Sequence, residues 1–396
     1  MNLLQITSSE VYPPSTGGTH RSHGLLLSFI NQCDSVVRYA QGSPGLPLTV
    51  GPDEIEIKHN YKEIRECGIL SLVSKAPMLF GQPNILQGIP LRLTLPKILA
   101  KELQKADIVQ VEGPWQMPGI AHHTPESTPL IFSSHNAEYE VFSGDDNTVT
   151  DSMFLRQLRR IEETSIKCSD LVICTTERDK DALKTRYSLD FPSVIVPNGT
   201  YESNIRDSFD DDLGTKKYEK FGVRENAFVG VFIGSGYAPN IDAVEQIINI
   251  SNKLSNTDIE FQIVVCGSVC EHFTDSYENI NMLGFVDDLE SIYNISDFGL
   301  NPIRFGSGSN IKILDYMSRG LPVITTKFGS RGYRLVHKNN ALISDLSSFH
   351  SEIYRLFHNH DLRARLQVNS HQYIEENHTW EDISANYRRN VKRLIR

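Results

Sequence analysis

The richest concentration of chemically useful residues is the stretch RFGSGSNIKILDYMSRGLPVITTKFG, residues 304–329. Gly306 and Gly308 allow backbone amides to approach a ligand closely. Asn310 is predicted to begin a helix whose positive end faces this loop, and Lys312 would add a charge in the first turn. Such a junction suits a phosphate group. The spacing does not match G-x-x-x-x-G-K-[ST], which argues against a P-loop ATPase.

Asp315 lies one helical turn after Lys312 and four residues before Arg319. Two interpretations of this carboxylate stay open. It can form an ion pair with Arg319, which stabilises a helix by about 0.2–0.5 kcal/mol. It can instead accept hydrogen bonds from the two hydroxyls of a ribose, as acidic residues do in other nucleotide-binding folds. The spacing alone favours neither.

Three loops in the first half follow apolar runs and carry further candidates: Gly17 with Gly18, His135 in the segment SSHN, and Asn198 in the segment PNG. The glycines would let backbone amides contact a ligand, and the histidine could donate to a substrate hydroxyl or stabilise developing charge. The alternatives are a flexible turn, a structural histidine and an Asn-Gly turn. Ligands of open α/β sheets bind beyond the carboxyl ends of strands, where these loops are predicted to lie.

The elements that must position these residues follow a βαβ rhythm. In the first half, short apolar runs predict buried parallel strands at NLLQIT, VVRYA, ADIVQVEG, PLIFSSHN, DLVICTT and SVIVPNG. The segments between them predict helices at THRSHGLLLSFINQ, PKILAKELQKA, FLRQLRRIEETSIKC and ERDKDALKTRY. This alternation predicts an α/β fold.

A polar segment, NGTYESNIRDSFDDDLGTKKYEKFG, is the best linker candidate. The rhythm then restarts with strands at FVGVFIGS, FQIVVCGS, INMLGF, DFGLNPI, PVITT and ALISD, and with helices at NIDAVEQIINISNKL, DDLESIYNIS and after Asn310. Two further helices are predicted at SSFHSEIYRLFHNHDLRARLQVNSHQYIEE and HTWEDISANYRRNVKRLIR. The sequence therefore predicts two doubly wound domains.

Composition sets outer limits on function. The chain has 396 residues, 39% hydrophobic and 22% charged, as expected of two folded domains. Its formal net charge of -10 argues against nucleic acid as a partner, because nonspecific phosphate binding needs a basic field. The N-terminus MNLLQITSSE is interpreted as a strand and not a signal peptide, and no segment has the apolar length of a membrane span. Six cysteines without a CxxC pair are interpreted as reduced, buried thiols.

Taken together, these segments resemble the GT-B glycosyltransferases, specifically glycosyltransferase family 4 (group 1), in a branch with a Gly-rich loop. The resemblance rests on the Gly-Gly pair, SSHN, IVPNG, VFIGSGYAPNIDAV, HTWEDI and the long segment GFVDDLESIYNISDFGLNPIRFGSGSNIKILDYMSRGLPVITTKFGSRG. It implies two Rossmann-like, doubly wound domains facing each other across a cleft. We expect an acceptor-binding domain at residues 1–203, with the helix 378–396 packing back on it, and a donor-binding domain at residues 204–377.

The resemblance implies a retaining, metal-independent hexosyltransferase that moves a sugar from a UDP- or GDP-sugar to a glycan, glycolipid or other hydroxyl acceptor. No cofactor beyond the donor is expected, and Asp145, Asp146 and residues 210–212 are interpreted as solvated loops and not metal ligands. The expected location is the cytoplasm. The segment LRLTLPKILAKELQK leaves peripheral contact with the inner face of the membrane open, although a buried helix of the first domain is the favoured interpretation.

The resemblance also assigns roles to residues. His135, Lys312 and Asp315 match catalytic positions, and Glu112 and Asn198 would lie on the acceptor side. One departure concerns the first acid of the family's Glu, seven residues, Glu pattern, because this chain has Ser307 there. The residues expected to bind the donor are Gly17, Gly18, Gly234, Ser235, Asn240, Arg304, Gly306, Ser307, Gly308, Ser309, Asn310, Ile311, Lys312 and Asp315.

Two alternatives to a glycosyltransferase remain. A catalytically silent protein that binds a nucleotide sugar or a partner is motivated by Ser307. A nucleotide-sugar epimerase has the same kind of fold, but its acid and base residues are not recognisable in this sequence. The sequence identifies neither the sugar, nor the acceptor, nor the oligomeric state.

Overall fold

A computed structural model describes residues 1–32, 34–41, 51–67, 73–77, 83–143, 153–205, 220–306 and 308–395. The chain divides into two compact units. Unit 1 comprises Met1–Asn198 together with Trp380–Arg396, and unit 2 comprises Gly199–Thr379. Each unit is an α/β domain built on a largely parallel sheet, so the fold class predicted from the alternating pattern is confirmed.

The described strands are β1 Asn2–Thr7, β2 Ser35–Gln41, β3 Gly51–Lys58, β4 Tyr61–Cys67, β5 Ile108–Glu112, β6 Leu130–Ser134, β7 Leu171–Cys174, β8 Ser193–Ile195, β9 Phe228–Ile233, β10 Phe261–Cys266, β11 Ile280–Gly284, β12 Phe298–Asn301, β13 Val323–Thr325 and β14 Leu342–Ile343. The sheet of unit 1 has the order β3-β4-β2-β1-β5-β6-β7-β8, and its described strands are parallel except for the antiparallel pair β3 and β4. The sheet of unit 2 has the order β11-β10-β9-β12-β13-β14, and its described strands are all parallel.

Helices cover these sheets. Unit 1 carries α1 Gly17–Gly24, α2 Leu27–Asn31, α3 Gly88–Leu93, α4 Lys97–Lys105, α5 Met117–His123, α6 Glu138–Ser143, α7 Met153–Lys167 and α8 Glu177–Tyr187. Unit 2 carries α9 Ala238–Leu254, α10 Leu289–Asn294, α11 Ile311–Ser318, α12 Phe349–His358 and α13 His360–Asn377. The last helix, α14 Trp380–Val391, belongs to unit 1.

Strands β3 and β4 were not predicted. Their sequences, GPDEIEIK and YKEIREC, alternate charged and apolar residues, whereas the prediction looked for continuous apolar runs. Continuous apolar runs are typical of strands that are covered on both faces, and an alternating pattern is typical of strands at the edge of a sheet. The edge of the sheet in unit 1 is therefore the part that this criterion misses.

Two predicted helices are in fact pairs of shorter ones. THRSHGLLLSFINQ forms α1 and α2, and the long tail segment forms α12 and α13. The second break falls at Asn359, whose Oδ1 accepts a hydrogen bond of 2.8 Å from the backbone N–H of Leu362. Asparagine favours such capping positions over a helix interior, so it ends one helix and starts the next.

The last helix packs against α2 within unit 1. The backbone N–H of Ser28 donates to Ser384 Oγ at 2.9 Å, and Arg388 Nε donates to Asp34 Oδ2 at 2.7 Å. Trp380 is fully buried, and a Cβ added to Gly24 would lie 2.2 Å from its ring. Removing a buried side chain of this size costs about 3–5 kcal/mol, so α14 contributes substantially to the stability of unit 1.

The predicted burial of the cysteines is wrong at one position. Cys174, Cys266 and Cys270 are free and buried, but Cys168 is free and exposed at the end of α7. Cys33 and the side chain of Cys67 lie outside the described part of the chain. The acidic groups at Asp145, Asp146 and residues 210–212 lie outside it too.

Helix α4 comes from the segment for which membrane contact stayed open. Leu99 and Leu103 are buried in the core of unit 1, in agreement with the buried-helix interpretation. Leu93, just before α4, is 76% exposed. None of the described helices is long and apolar enough to cross a membrane.

Candidate active site

Unit 1 places a carboxylate and an imidazole together at the carboxyl ends of neighbouring strands. Glu112 is the last residue of β5, and His135 directly follows β6. Because these strands are parallel neighbours, their ends meet, and His135 Nε2 lies 2.5 Å from Glu112 Oε2. The carboxylate therefore fixes the orientation of the imidazole ring.

Glu112 is held ionised by its surroundings. Its Oε1 accepts a hydrogen bond of 2.7 Å from Gln5 Nε2 and another from Gln110 Nε2. Burial works to raise the pKa of Glu112, but the hydrogen bond and charge of His135, together with Gln110 and the charge of Arg21, lower that pKa to about 2. A carboxylate so well supplied with donors keeps its negative charge across the ordinary pH range.

The start of α1 lies beside this pair. Thr16 caps the helix, because its Oγ1 accepts from the backbone N–H of Thr19 at 3.3 Å and its own N–H donates to Thr19 Oγ1 at 2.8 Å. A Cβ added to Gly18 would lie 3.9 Å from His135 Nδ1. The structure therefore brings the predicted Gly17-Gly18 turn together with His135.

These residues line a cavity of about 150 Å³ at the carboxyl ends of the strands of unit 1. Glu112, His135, Glu138 and Trp115 contribute acidic, imidazole and indole groups to its wall. Carboxylates, hydroxyls and an aromatic ring are groups that hydrogen-bond and stack on a polyhydroxylated ring. Six further lining residues carry hydroxyl groups: Thr7, Ser8, Ser9, Thr16, Thr19 and Ser22.

Asn198, predicted on the acceptor side, is bound to α1. Its Oδ1 accepts a hydrogen bond of 3.0 Å from Arg21 Nη1, which also donates to the carbonyl of Pro197 at 3.3 Å. Arg21 is only 2% exposed. The Asn-Gly turn thus anchors α1 through a buried guanidinium, and Asn198 is not among the residues that line the cavity.

In unit 2, a hydrogen bond joins the first turn of α9 to the first turn of α11. Lys312 Nζ donates to Asn240 Oδ1 at 2.8 Å, and Asn240 Nδ2 donates to the carbonyl of Ser235 at 3.0 Å. A Cβ added to Gly234 would lie 3.0 Å from Asn240, so a larger residue here would push the Asn240 side chain out of its position. Four predicted donor-binding residues from two distant segments therefore lie together.

The ammonium group of Lys312 is partly withdrawn from solvent. It lies 4.0 Å from the centre of the Phe232 ring, and burial lowers its pKa to about 7. A cation over an aromatic face gains some attraction, but that does not replace lost hydration. Lys312 is thus the kind of cation whose charge an incoming anion would stabilise.

Asp315 forms an ion pair with Arg319 of the same helix, but the distance between the two groups is long. Arg319 Nη1 lies 3.6 Å from Asp315 Oδ1, while Arg319 Nε donates to Glu290 Oε1 at 3.0 Å. Burial raises the pKa of Asp315 to about 6, against the lowering effect of the Arg319 charge. Since Arg319 is engaged mainly by Glu290, the Asp315 carboxylate keeps room to accept hydrogen bonds from a ligand.

The Gly-rich loop needs its glycines for backbone reasons. Gly306 has φ 114° and Gly308 has φ 64°, both in the left-handed region that side chains disfavour. A Cβ added to Gly306 would also lie 3.0 Å from Pro239 Cγ at the start of α9. Ser307, predicted to bind the donor, lies outside the described residues.

Two loop residues already have side-chain partners within unit 2. Asn310 is the N-cap of α11, so the predicted start of this helix is confirmed. Its side chain makes no capping bond and donates instead to the carbonyl of Gly329 at 2.7 Å, which joins this loop to the one after β13. Arg304 Nε donates to Asp242 Oδ2 at 2.8 Å, so its guanidinium already has an acidic partner.

Sequence models of known families match both halves of the chain. The model described as Glycosyltransferase Family 4 matches residues 58–202, and the model described as Glycosyl transferases group 1 matches residues 227–359. Together the two matches cover more than half of the chain. The chain belongs to the GT-B glycosyltransferases of family 4. No curated protein sequence matches it.

Solved structures of other glycosyltransferases share the fold of this chain at low sequence identity. A sucrose-phosphate synthase from Thermosynechococcus elongatus aligns at TM-score 0.76 and 13% identity, covering 100% of this chain and 99% of its own. The trehalose-6-phosphate synthase OtsA aligns at TM-score 0.72 and 13% identity, covering 98% of each chain. WaaG, a glycosyltransferase involved in lipopolysaccharide biosynthesis, aligns at TM-score 0.66 and 14% identity, covering 97% and 98%.

Sequence reasoning missed several residues at the candidate site of unit 1. Glu138 and Trp115 line the cavity of unit 1, and Arg21 lies behind it. A carboxylate three residues after His135 at a helix start was the available signal for Glu138. Within the described residues, no group of three His, Cys, Asp or Glu side chains is arranged to hold a metal ion.

Proposed function

We propose that this glycosyltransferase transfers a hexose, with retention of its anomeric configuration and without a metal ion, from a UDP- or GDP-sugar to a hydroxyl of a glycan or lipid-linked acceptor. The observation that carries the proposal is the cluster of Lys312, Asn240 and the positive-φ glycines Gly306 and Gly308 at the start of α11. A cation, backbone amides and a helix N-terminus together match the diphosphate of such a donor.

In this proposal unit 2 binds the donor. Lys312 and the amides of residues 308–311 stabilise the negative charge that collects on the diphosphate as its bond to the anomeric carbon breaks. Asp315 accepts hydrogen bonds from the ribose hydroxyls. Asn240 holds the Lys312 ammonium at 2.8 Å, and Gly234 and Ser235 let the diphosphate approach the end of β9.

Unit 1 supplies the acceptor side. His135, oriented by Glu112 at 2.5 Å, hydrogen-bonds the transferred sugar at the step where positive charge develops on it. Gly17 and Gly18 leave space and amides beside the imidazole, and the cavity of about 150 Å³ has the volume of roughly one sugar ring. Asn198 acts through Arg21, which it holds under α1.

Structural neighbours support the choice of donor and acceptor class. One from E. coli, described for trehalose-6-phosphate, is bound with UDP-2-fluoro glucose, and a TarM structure contains UDP. WaaG acts in lipopolysaccharide biosynthesis. By analogy of fold, we propose a nucleotide sugar as donor and a glycan or lipid-linked glycan as acceptor, reached from the cytoplasm.

The decisive experiment is a screen of nucleotide sugars. Purified protein is incubated with UDP- and GDP-sugars in the presence of EDTA, and release of free nucleotide is measured together with the anomeric configuration of the product by NMR. We expect turnover with one donor class, with retention. Binding of a donor without any turnover would favour a silent binding protein, for which Ser307 in place of an acid is the motive. Activity that needs added manganese would contradict the metal-free part.

Variants test the donor site itself. Lys312→Ala and Asp315→Ala should each weaken nucleotide binding measured by calorimetry, because each removes a group aimed at the diphosphate or the ribose. Lys253→Ala is the matched control, since it removes an exposed lysine in the last turn of α9, far along that helix from the proposed ligand groups. Unchanged nucleotide affinity in both Ala variants would refute the site.

Peripheral membrane contact is proposed only for the exposed end of α3. Leu93 is 76% exposed and follows Arg92 in the chain. An apolar side chain beside a basic one suits an anionic membrane surface. Sedimentation with anionic vesicles should fall in the variant Leu93→Ser, and equal sedimentation with neutral vesicles would contradict the electrostatic part.

A further inference from the structure

A buried carboxyl group that the proposed chemistry does not use faces the cavity of unit 1. Glu138, the first residue of α6, is only 9% exposed and lines the cavity with His135 and Glu112. The side chain accepts one hydrogen bond, of 3.3 Å, from Asn136 Nδ2. Of the two acidic groups in the cavity wall, Glu138 is therefore poorly supplied with donors, whereas Glu112 is well supplied.

A second buried acid stands behind Glu138. Glu162 of α7 is fully buried, and its Oε1 accepts a hydrogen bond of 2.6 Å from the backbone N–H of Glu138. Its Oε2 accepts another, of 2.5 Å, from the hydroxyl of Tyr187 in α8. Because both oxygens of Glu162 accept hydrogen bonds, Glu162 is the better place for negative charge in this pair, and Glu138 is the better place for the proton.

The other charged groups around Glu138 strengthen this division. Asp179 of α8 adds negative charge, and burial together with Glu162 raises the pKa of Glu138 to about 8. Burial raises the pKa of Glu162 as well, but the Tyr187 hydroxyl, the backbone N–H groups of Glu138 and Tyr139 and the charge of Arg186 stabilise its ionised form. Toward the cavity, Glu112 and His135 form their own pair at 2.5 Å. No cation contacts the Glu138 carboxyl among the charged groups that act on it.

We propose that Glu138 binds the acceptor sugar by donating a hydrogen bond from its neutral carboxyl group to an oxygen atom of the ring that occupies the cavity. This inference rests on the proposed function, because that function assigns the cavity to the acceptor. It adds a rule for which substituents of the acceptor sugar this position accepts. A neutral acid can donate to a hydroxyl, ether or carboxylate oxygen, whereas it offers no negative charge to an ammonium substituent at that position.

The protonation state can be tested without any substrate. The intact protein is labelled with glutamate carrying ¹³C in the side-chain carboxyl, and the labelled carbons are titrated by NMR. We expect one carboxyl to titrate near pH 8 in the wild type and in Glu140→Gln, and to be missing in Glu138→Gln. Glu140 is the matched control, since it lies on the same helix and pairs with Arg186 at 3.8 Å. If the signal missing in Glu138→Gln titrates in the wild type near the ordinary value for glutamate, the proposal is overturned.

Acceptor contact is tested with n-octyl glycosides of several common hexoses as probes. Transfer from the donor identified in the screen should be within about threefold of wild type in Glu138→Gln at pH 7, because glutamine mimics the neutral acid. Between pH 7 and pH 9, wild-type kcat/KM for the glycoside should fall about tenfold, while that of Glu138→Gln stays flat. Glu138→Leu should lose transfer while its donor affinity is unchanged.

Two outcomes would refute the proposal without touching the proposed function. A loss in Glu138→Gln as large as in Glu138→Leu would mean that an ionised carboxylate is needed. A Glu138 carbon signal that responds to none of the glycosides would exclude acceptor contact. Failure of the proposed function is visible separately, as absence of donor binding and of nucleotide release in the wild type. Far-ultraviolet circular dichroism of each variant identifies any that fail to fold.

Discussion

The two units build their candidate sites in opposite ways. In unit 1, the cavity is assembled from side chains far apart in sequence, with Gly18, Glu112, His135 and Glu138 meeting at strand ends and helix starts. In unit 2, most of the site comes from one continuous segment, residues 304–319, joined to Asn240 by a single hydrogen bond. The first kind of site depends on the whole sheet, and the second depends on local backbone geometry.

The difference extends to charge. The cavity of unit 1 is acidic and rich in hydroxyls, with Glu112 holding its charge and Glu138 holding its proton. The loop of unit 2 offers Lys312, positive-φ glycines and a helix start. The first combination suits a neutral polyhydroxylated ligand, and the second suits an anion. The two candidate sites therefore differ in the ligands they suit, and this difference can be tested by damaging one site at a time.

The largest expected effect is on turnover. His135→Ala should reduce kcat by about 10²–10³ while nucleotide affinity changes little, because the imidazole acts on the sugar and not on the diphosphate. Lys312→Ala should reduce kcat by a similar factor and weaken nucleotide binding as well. Steady-state kinetics and calorimetry on the same preparations separate the two patterns. Weakened nucleotide affinity in His135→Ala would contradict the proposal that unit 1 acts on the sugar and unit 2 binds the nucleotide.

The next effect concerns pH. Since burial lowers the pKa of Lys312 to about 7, the ammonium is charged below that pH and neutral above it. Donor affinity should therefore weaken by up to about tenfold as the pH rises from 6 to 8. Isothermal calorimetry over this range should show no such fall for Lys312→Met, in which the Asp315 carboxyl, with its pKa raised by burial to about 6, still ionises and makes affinity rise slightly with pH. A fall in affinity with rising pH in that variant would mean that another group carries the dependence.

Glycine substitutions should affect stability differently in the two units. Gly306→Ala forces a side chain into φ 114° and should destabilise unit 2 by about 1–2 kcal/mol. Gly18→Ala lies in the first turn of α1 with its Cβ 3.9 Å from His135 Nδ1, so it should be neutral or stabilise by up to about 1 kcal/mol. Urea denaturation measures both. Equal destabilisation by the two substitutions would contradict this distinction, in which Gly306 is needed for its backbone conformation and Gly18 only for the room it leaves beside His135.

The smallest effect is expected for Arg304. Its guanidinium pairs with Asp242, but its side chain is 55% exposed, and exposed ion pairs contribute about 0–1 kcal/mol. Arg304→Ala should therefore change the free energy of unfolding by less than about 1 kcal/mol. Nucleotide affinity measured alongside decides its remaining role, because a loss above tenfold would mean that Arg304 leaves Asp242 to bind the donor.

The contrast between the units also explains what could be predicted from the sequence. The parallel strands carry continuous apolar runs, so β9 to β14 and their order of appearance were recognisable, and the loop at residues 304–329 stood out because its residues are contiguous. The alternating pair β3 and β4 escaped, as did the break at Asn359. The pair lies at the edge of the sheet and the break depends on a single capping hydrogen bond, and neither feature produces a continuous apolar run in the sequence.

Contacts between side chains were harder to predict than helices and strands. Glu112 and His135 were both candidates, but only adjacent strands make them a pair at 2.5 Å. Glu138 was not a candidate, since its burial and its neighbour Glu162 come from the packing of α6 against α7. Asn310 begins α11 as predicted, but the hydrogen bond of its side chain to Gly329 was not predicted. Local patterns thus indicate where a site lies, whereas the protonation and orientation of its groups follow from tertiary contacts.

The position of α14 has a consequence for how the protein is made. Unit 2 is continuous from Gly199 to Thr379, so all of its residues are synthesised before those of α14. Most of unit 1 precedes unit 2 in the chain, but it cannot bury Phe29 against Tyr387, or Arg388 against Asp34, until α14 is synthesised. Unit 1 is therefore completed after unit 2 has been made, and until then it exposes the apolar surface that newly made chains offer to chaperones.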